Sequence, residues 1–292
     1  MFSRRGFDMC RILIMFGSRE KILGVRSDLI KSLINSAEKD PYLEALTGYK
    51  EHSHSDGWGR ILVSLDKKGV VREYYERSLK PFYKDNRALR LPEDLSVDES
   101  VVIEMIHVRA ASRGMPINIF STHPAEAISR EGYRLYLIHN GTVDKNRVLE
   151  LLGIDRESLY ANLYGDTYFL AQLMASRVRE GLSIDIFREA AELTISALNI
   201  GVVLVKDREV EVGVGSYYVL RGEDSSRKNY YKIYRIAEEP GLYVYTSSTL
   251  VDFYNPAKGC RWSEIPNGFF EAYRIYVNKD PVIEKIFEFR YE

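Results

Sequence analysis

The sequence predicts an α+β fold in four layers, an αββα sandwich of two antiparallel sheets packed face to face with helices outside. Strand-like runs come first, helix-period segments occupy the middle, and strand-like runs return toward the end of the chain. No Pro/Gly/Ser-rich linker, repeat or low-complexity tract divides the 292 residues, so residues 10–292 read as one domain.

The first element is the apolar run Ile12-Leu13-Ile14-Met15-Phe16, which follows Met9-Cys10 and reads as a buried strand. Runs rich in β-branched and aromatic residues predict further strands at 60–65, 70–75, 101–108 and 134–139. Between the first two of these, Asp66-Lys67-Lys68-Gly69 is a hairpin turn. The period then changes, and apolar spacing predicts three helices over 144–152, 166–179 and 184–198, with Gly153 and Gly181 as C-terminal stops. Strand signals resume at 201–206, 209–213, 230–236, 242–246, 269–277 and 282–289, and the polar stretch 222–228 reads as a surface loop.

Bulk properties exclude several classes of function. A formal net charge of -1, with Lys and Arg spread along the chain, argues against nucleic acid or an acidic membrane as partner. The N-terminus mimics a signal peptide, but Arg11 interrupts its apolar segment, and no later stretch reaches membrane-spanning length, so a cytoplasmic protein is expected. The two cysteines, Cys10 and Cys260, form neither a zinc-knuckle spacing nor a disulfide framework.

Cys10 has two readings. In an apolar strand it is a small buried hydrophobe. As the first residue of a trimmed chain it is a nucleophile with its own base, since a free α-amino group titrates at roughly 7.7–8.0 and can take the thiol proton. Met9 before a small residue is a context in which an initiator or processed Met is removed. Four polar clusters stand at predicted strand ends and at a helix start: residues 52–59, residues 107–114, Thr122-His123-Pro124 with His139-Asn140-Gly141, and Gly165-Asp166-Thr167.

The order Met-Cys, Asp-Gly-Trp-Gly, His-x-Arg-x-Ala-Ser-x-Gly, Thr-His-Pro, His-Asn-Gly, Gly-Asp-Thr resembles the class II glutamine amidotransferases, which are N-terminal-nucleophile hydrolases, and especially their stand-alone glutaminase-like branch. The resemblance runs from Met9 to about residue 180 and more loosely to the end. It implies Cys10 as nucleophile, the Asn140 side-chain amide and the Gly141 N–H as oxyanion donors, and a substrate held by Arg109 and Ser112 at its α-carboxylate and by Asp166 at its α-ammonium. Each position also has a plain structural reading. Asn140-Gly141 can be only a turn, Arg109 an internal salt bridge, Ser112 a local backbone partner and Asp166 a helix N-cap. Family members often carry an aromatic after the Arg, where this chain has Ala110. Gly57 and Gly59 are expected to allow close backbone approach, Trp58 to pack, and His107, His123 and His139 to be supporting histidines.

The resemblance implies no cofactor. It implies glutamine or another γ-glutamyl compound as substrate, with a separate ammonia-accepting synthase subunit as a further partner, or a catalytically silent glutamine-binding subunit. His52-Ser53-His54-Ser55-Asp56 also approaches the His-x-His-x-Asp-His signature of metallo-β-lactamase-like hydrolases, but Gly57 stands at the third His and the element order is wrong, so no metal is expected. Residues 1–9 are read as a non-native start or a removed leader. If they stay attached, the Cys10 nitrogen is an amide and supplies no base.

Overall fold

The computed structural model describes residues 9–48, 53–93, 99–111, 115–220, 222, 224–237, 241–257 and 260–292. Met1–Asp8, His52 and the Ser112-Arg113-Gly114 segment lie outside the described residues. The first part of the chain forms β1 (Met9–Ser18), α1 (Arg19–Glu38), α2 (Pro41–Thr47), β2 (Trp58–Asp66), β3 (Val71–Ser78), α3 (Asn86–Arg90), β4 (Glu99–Ala110), β5 (Ala125–Ile128) and β6 (Arg134–Val143). Four helices follow, α4 (Lys145–Leu152), α5 (Leu159–Leu163), α6 (Asp166–Arg177) and α7 (Ile184–Glu192). The chain closes with β7 (Thr194–Lys206), β8 (Glu209–Ser216), α8 (Ser225–Tyr231), β9 (Ile233–Ala237), β10 (Leu242–Ser247), α9 (Ser248–Val251), β11 (Arg261–Glu264), β12 (Phe269–Asn278) and β13 (Asp280–Arg290).

Two antiparallel sheets result, with strand orders β11-β9-β10-β1-β4-β2-β3 and β13-β12-β8-β7-β6-β5. Period-2 side-chain alternation sorts each strand between two layers. Ile12, Ile14 and Phe16 of β1 meet Tyr136, Ile138 and Val203 of the other sheet in a central core, while Leu13 and Met15 face Ile22, Leu29 and Leu33 of α1. Phe169, Leu173 and Phe187 of α6 and α7 cover the outer face of the second sheet. The layers are therefore helix, sheet, sheet, helix, as the sequence predicts. Among the described residues no helix is long and apolar enough to cross a membrane.

The elements depart from expectation in several places, among them the unexpected 20-residue helix α1 and the short helix α8, which starts inside the stretch 222–228 read as a surface loop. The sheets interleave rather than following one another: β5 and β6 join the late strands, and β9 to β11 join the early ones. The helix expected over 184–198 stops at Glu192, because Thr194 opens the long strand β7. The first residues of the strand expected at 230–236 close the short helix α8, leaving β9 to begin at Ile233. Gly153 caps α4, but Val178 caps α6, and Gly181 instead packs against the buried Glu211 carboxylate.

Candidate active site

β1 enters the first sheet at its middle, between β10 and β4, and this fixes the position of Cys10. Cys10 pairs with Arg109 across β1 and β4. Directly opposed residues on antiparallel strands project to the same face, and here that face is the interior between the sheets, where Ile12 and Ile14 also point. Cys10 is fully buried. Its backbone N–H crosses to the second sheet and donates to Asn140 Oδ1 at 3.0 Å.

That bond fixes the orientation of the Asn140 amide. With Oδ1 accepting from Cys10, Nδ2 is the free end, and it is buried without a hydrogen-bond partner among the described residues. An unpaired buried donor costs about 1–3 kcal/mol. A donor left in this state beside a thiol can stabilise negative charge that develops on a substrate oxygen. The next residue, Gly141, has φ 147°, and a Cβ there would collide with the Ala197 carbonyl oxygen of β7, so only glycine fits.

Arg109 is buried on β4 and donates to the Pro116 carbonyl at 3.1 Å. It makes no ion pair among the described residues, so the salt-bridge reading finds no support and the guanidinium retains donors for a carboxylate. The strand end is clipped by the preceding loop: Arg109 N–H donates to the Gly57 carbonyl, Asp56 N–H to the Arg109 carbonyl, and Ala111 N–H to Asp56 Oδ2. At Gly59 a Cβ would strike the His123 carbonyl oxygen, which accounts for the close approach expected there.

Asp166 is the first residue of α6, while Gly165 occupies the N-cap position without a side-chain bond. Its expected default role as N-cap is corrected accordingly. Asp166 Oδ1 accepts from Thr167 N–H at 2.8 Å and Oδ2 from Val143 N–H at 2.9 Å, which anchors the carboxylate to the end of β6. Both oxygens carry one backbone donor, and each keeps a lone pair for a cation. Ser112, the remaining expected site residue, is among those outside the description.

Around this core lies a neutral histidine chain. His139 Nε2 donates to the Ala197 carbonyl, leaving Nδ1 to accept from the Thr167 hydroxyl. His107 Nε2 donates to the His139 carbonyl at 3.2 Å and lies 3.1 Å from His123 Nδ1. Burial, with Arg109 adding to it, pushes His107 well below the ordinary histidine range, and burial with His107 does the same to His123. Trp58 is buried and donates to Asp85, in keeping with a packing role.

On the opposite face of β1, Arg11 forms a two-pronged bond to Asp40, Nε to Oδ2 at 2.6 Å and Nη2 to Oδ1 at 3.0 Å. His54 Nε2 and the Thr249 hydroxyl bind the same carboxylate at 2.7 Å each. Arg11 also donates to the Tyr230 carbonyl, and the Tyr230 hydroxyl donates to the Cys10 carbonyl at 3.2 Å. The sequence reading gave Arg11 only the role of interrupting an apolar run. No group of His, Cys, Asp or Glu among the described residues is placed to hold a metal ion.

No protein-family model and no curated protein matches the chain. Solved structures do match. Glutamine phosphoribosylpyrophosphate amidotransferase from B. subtilis, complexed with ADP and GMP, superimposes over 94% of this chain and 49% of its own, with a TM-score of 0.52 and 15% identity. A structure described as the allosteric regulatory enzyme of purine biosynthesis superimposes over 94% of this chain and 48% of its own, with a TM-score of 0.52 and 16% identity. The chain spans about half the length of these structures. At this identity the likeness is one of fold: two antiparallel sheets packed face to face between helices, as in these amidotransferase structures.

Proposed function

We propose that the protein hydrolyses the side-chain amide of glutamine, or of a related γ-glutamyl compound, with Cys10 as nucleophile once Cys10 is the first residue of the chain. The observation that carries this is the pairing of Cys10 with Asn140: one amide oxygen holds the Cys10 nitrogen while the buried Nδ2 of the same amide has no partner among the described residues.

The freed amine takes the thiol proton, and the thiolate attacks the γ-carbonyl carbon. Charge on the carbonyl oxygen is met by Asn140 Nδ2 and the Gly141 N–H. As the carbon–nitrogen bond breaks, the ammonium returns its proton to the departing nitrogen, which leaves as ammonia. Water then cleaves the γ-glutamyl thioester, giving glutamate and the Cys10 thiol. Arg109 holds the α-carboxylate and the anchored Asp166 holds the α-ammonium, with Ser112 a further donor to the carboxylate. No cofactor or metal enters these steps. The activity proposed is that of a glutaminase unit, with a separate synthase subunit as a further partner that takes the ammonia.

The test is a chain translated from Met9, which keeps every described element, with its N-terminus checked by intact mass. An electrophilic glutamine analogue should label Cys10, and Cys10→Ala should lose glutamine hydrolysis by at least about a thousandfold. Glutamine binding without labelling would instead mark a silent sensor.

A further inference from the structure

The polar groups at Cys10 continue across the second sheet. Asn140 of β6 lies directly opposite Asn199 of β7. Beyond it, β7 and β8 pair Ile200 with Gly215, Leu198 and Tyr217 exchange hydrogen bonds, and Ala197 bridges Tyr218, so Ser216 stands opposite Asn199. Opposed residues share a face, which puts Asn140, Asn199 and Ser216 in one row on the face that Cys10 meets.

Asn199 is fully buried, and its orientation is set by Nδ2, which donates to the Tyr231 carbonyl at 2.7 Å. Its Oδ1 is thereby turned away from the Tyr231 carbonyl and is buried without a hydrogen-bond partner among the described residues. Neighbouring Tyr230 reaches the Cys10 carbonyl, so the same turn of α8 that holds Asn199 also borders Cys10. An acceptor left bare in a packed interior requires a donor. In an untrimmed chain the Cys10 nitrogen has one N–H, already given to Asn140. Trimming creates at least one more on the same atom.

We propose that Asn199 is the second holder of the catalytic base: its Oδ1 accepts an N–H of the freed Cys10 α-amino group. Two amide oxygens, from Asn140 and Asn199, then take the two N–H bonds of the neutral amine and direct its lone pair toward the Cys10 thiol. This rests on the reading of Cys10 as an N-terminal nucleophile. Among the described residues, the titratable or charged groups packed around this end are Arg109 and His107 from β4, Arg227, Tyr230 and Tyr231 from α8, Tyr218 after β8, His139 from β6, Asp166 from α6, and Arg11 with Asp40 on the far face of β1.

The experiment follows Cys10 alkylation by iodoacetamide against pH, together with glutamine turnover, in Met9-start protein whose Cys10 terminus is verified by mass. Asn199→Asp keeps the shape and sets an anion beside the amine, so the alkylation midpoint should rise by about one pH unit. Asn199→Leu removes the acceptor; kcat should fall at least about tenfold while KM stays within about twofold, because substrate contacts are untouched. Should Asn199→Leu fail to fold, the Asn199→Asp midpoint alone decides. Alkylated parent with an unmoved midpoint in Asn199→Asp, or with parental kcat in Asn199→Leu, overturns the Asn199 assignment alone. Parent protein that is neither alkylated nor active overturns the nucleophile reading, and this one with it.

Discussion

In the proposed reaction Arg109 serves binding rather than chemistry. Its guanidinium is buried, fixed at one nitrogen by the Pro116 carbonyl and unpaired with any described carboxylate. A planar fork can grip an α-carboxylate at two points, whereas an ammonium offers a single charge. Arg109→Lys should therefore raise KM for glutamine about tenfold or more with a smaller change in kcat, and steady-state kinetics reads the split. Asn140→Leu should do the reverse, lowering kcat about a hundredfold or more for loss of an oxyanion donor. The buried histidines carry a pH consequence. His107 and His123 titrate well below the ordinary range when folded, so the unfolded chain binds more protons beneath about pH 6.5, and stability should fall with pH from there. Urea midpoints that stay flat between pH 7 and 5 would contradict this. As candidates, Arg109 and Asn140 are legible in the sequence because each sits in a short polar cluster at a strand end, and Asp166 because its cluster opens a helix, whereas Cys10 stands before an apolar run and is singled out by the family resemblance. Asn199 is not legible, because it opens the apolar run Asn199-Ile200-Gly201-Val202-Val203 and only strand register brings it beside Asn140.

At the scale of elements, Asp40 ties β1, α2 and α9 together. It caps α2 through Tyr42 and Leu43 N–H groups while binding Arg11, His54 and Thr249. Burial alone would raise its carboxyl, but Arg11 and His54 hold it far below the ordinary carboxylate range. Its stabilisation is thus present above about pH 4 and lost as pH falls toward the depressed value. Arg11→Met strands a buried carboxylate and should cost about 3–5 kcal/mol in chemical denaturation, much of it recovered in the double variant Arg11→Met/Asp40→Leu. Equal stability of Arg11→Met and parent would refute this coupling. The same buried arginines explain what the sequence hid. α1 buries Ile22, Arg26, Leu29, Ile30 and Leu33 at helical spacing, but Arg26 reads as polar and breaks the stripe. In the structure Arg26 belongs to the core because Glu104 of β4 receives it at 2.7 and 3.0 Å. At 184–198 the helical apolar period runs without a break into β7, and the β-branched Thr194 and Ile195 are the local sign of the change.

Over the whole molecule, the candidate site is assembled across the sandwich. Cys10 and Arg109 come from one sheet, Asn140, Gly141 and Asn199 from the other, so the spacing between sheets sets the spacing of the proposed nucleophile and oxyanion donor. Gly201 governs that spacing near the site. It lies on β7 two residues from Asn199 and opposite Ile138, and a Cβ there would fall 2.6 Å from Ile14 Cδ1 and 2.8 Å from Met105 Sδ. Both contacts belong to the facing sheet, Ile14 to the strand that carries Cys10. Gly201→Val must therefore separate the sheets or force strained rotamers, at a cost of about 1–3 kcal/mol. Activity should fall by more than stability accounts for, because an error of about 1 Å in the approach of reacting groups can cost about a hundredfold in rate. The control is Leu173→Val in the outer helix layer, where a smaller side chain loosens packing on α6 without altering the distance between sheets. Measured at a temperature where both variants are fully folded, Gly201→Val should have much the lower kcat. Equal turnover in the two would show that the fold, and not the interval between its sheets, is all that the chemistry requires.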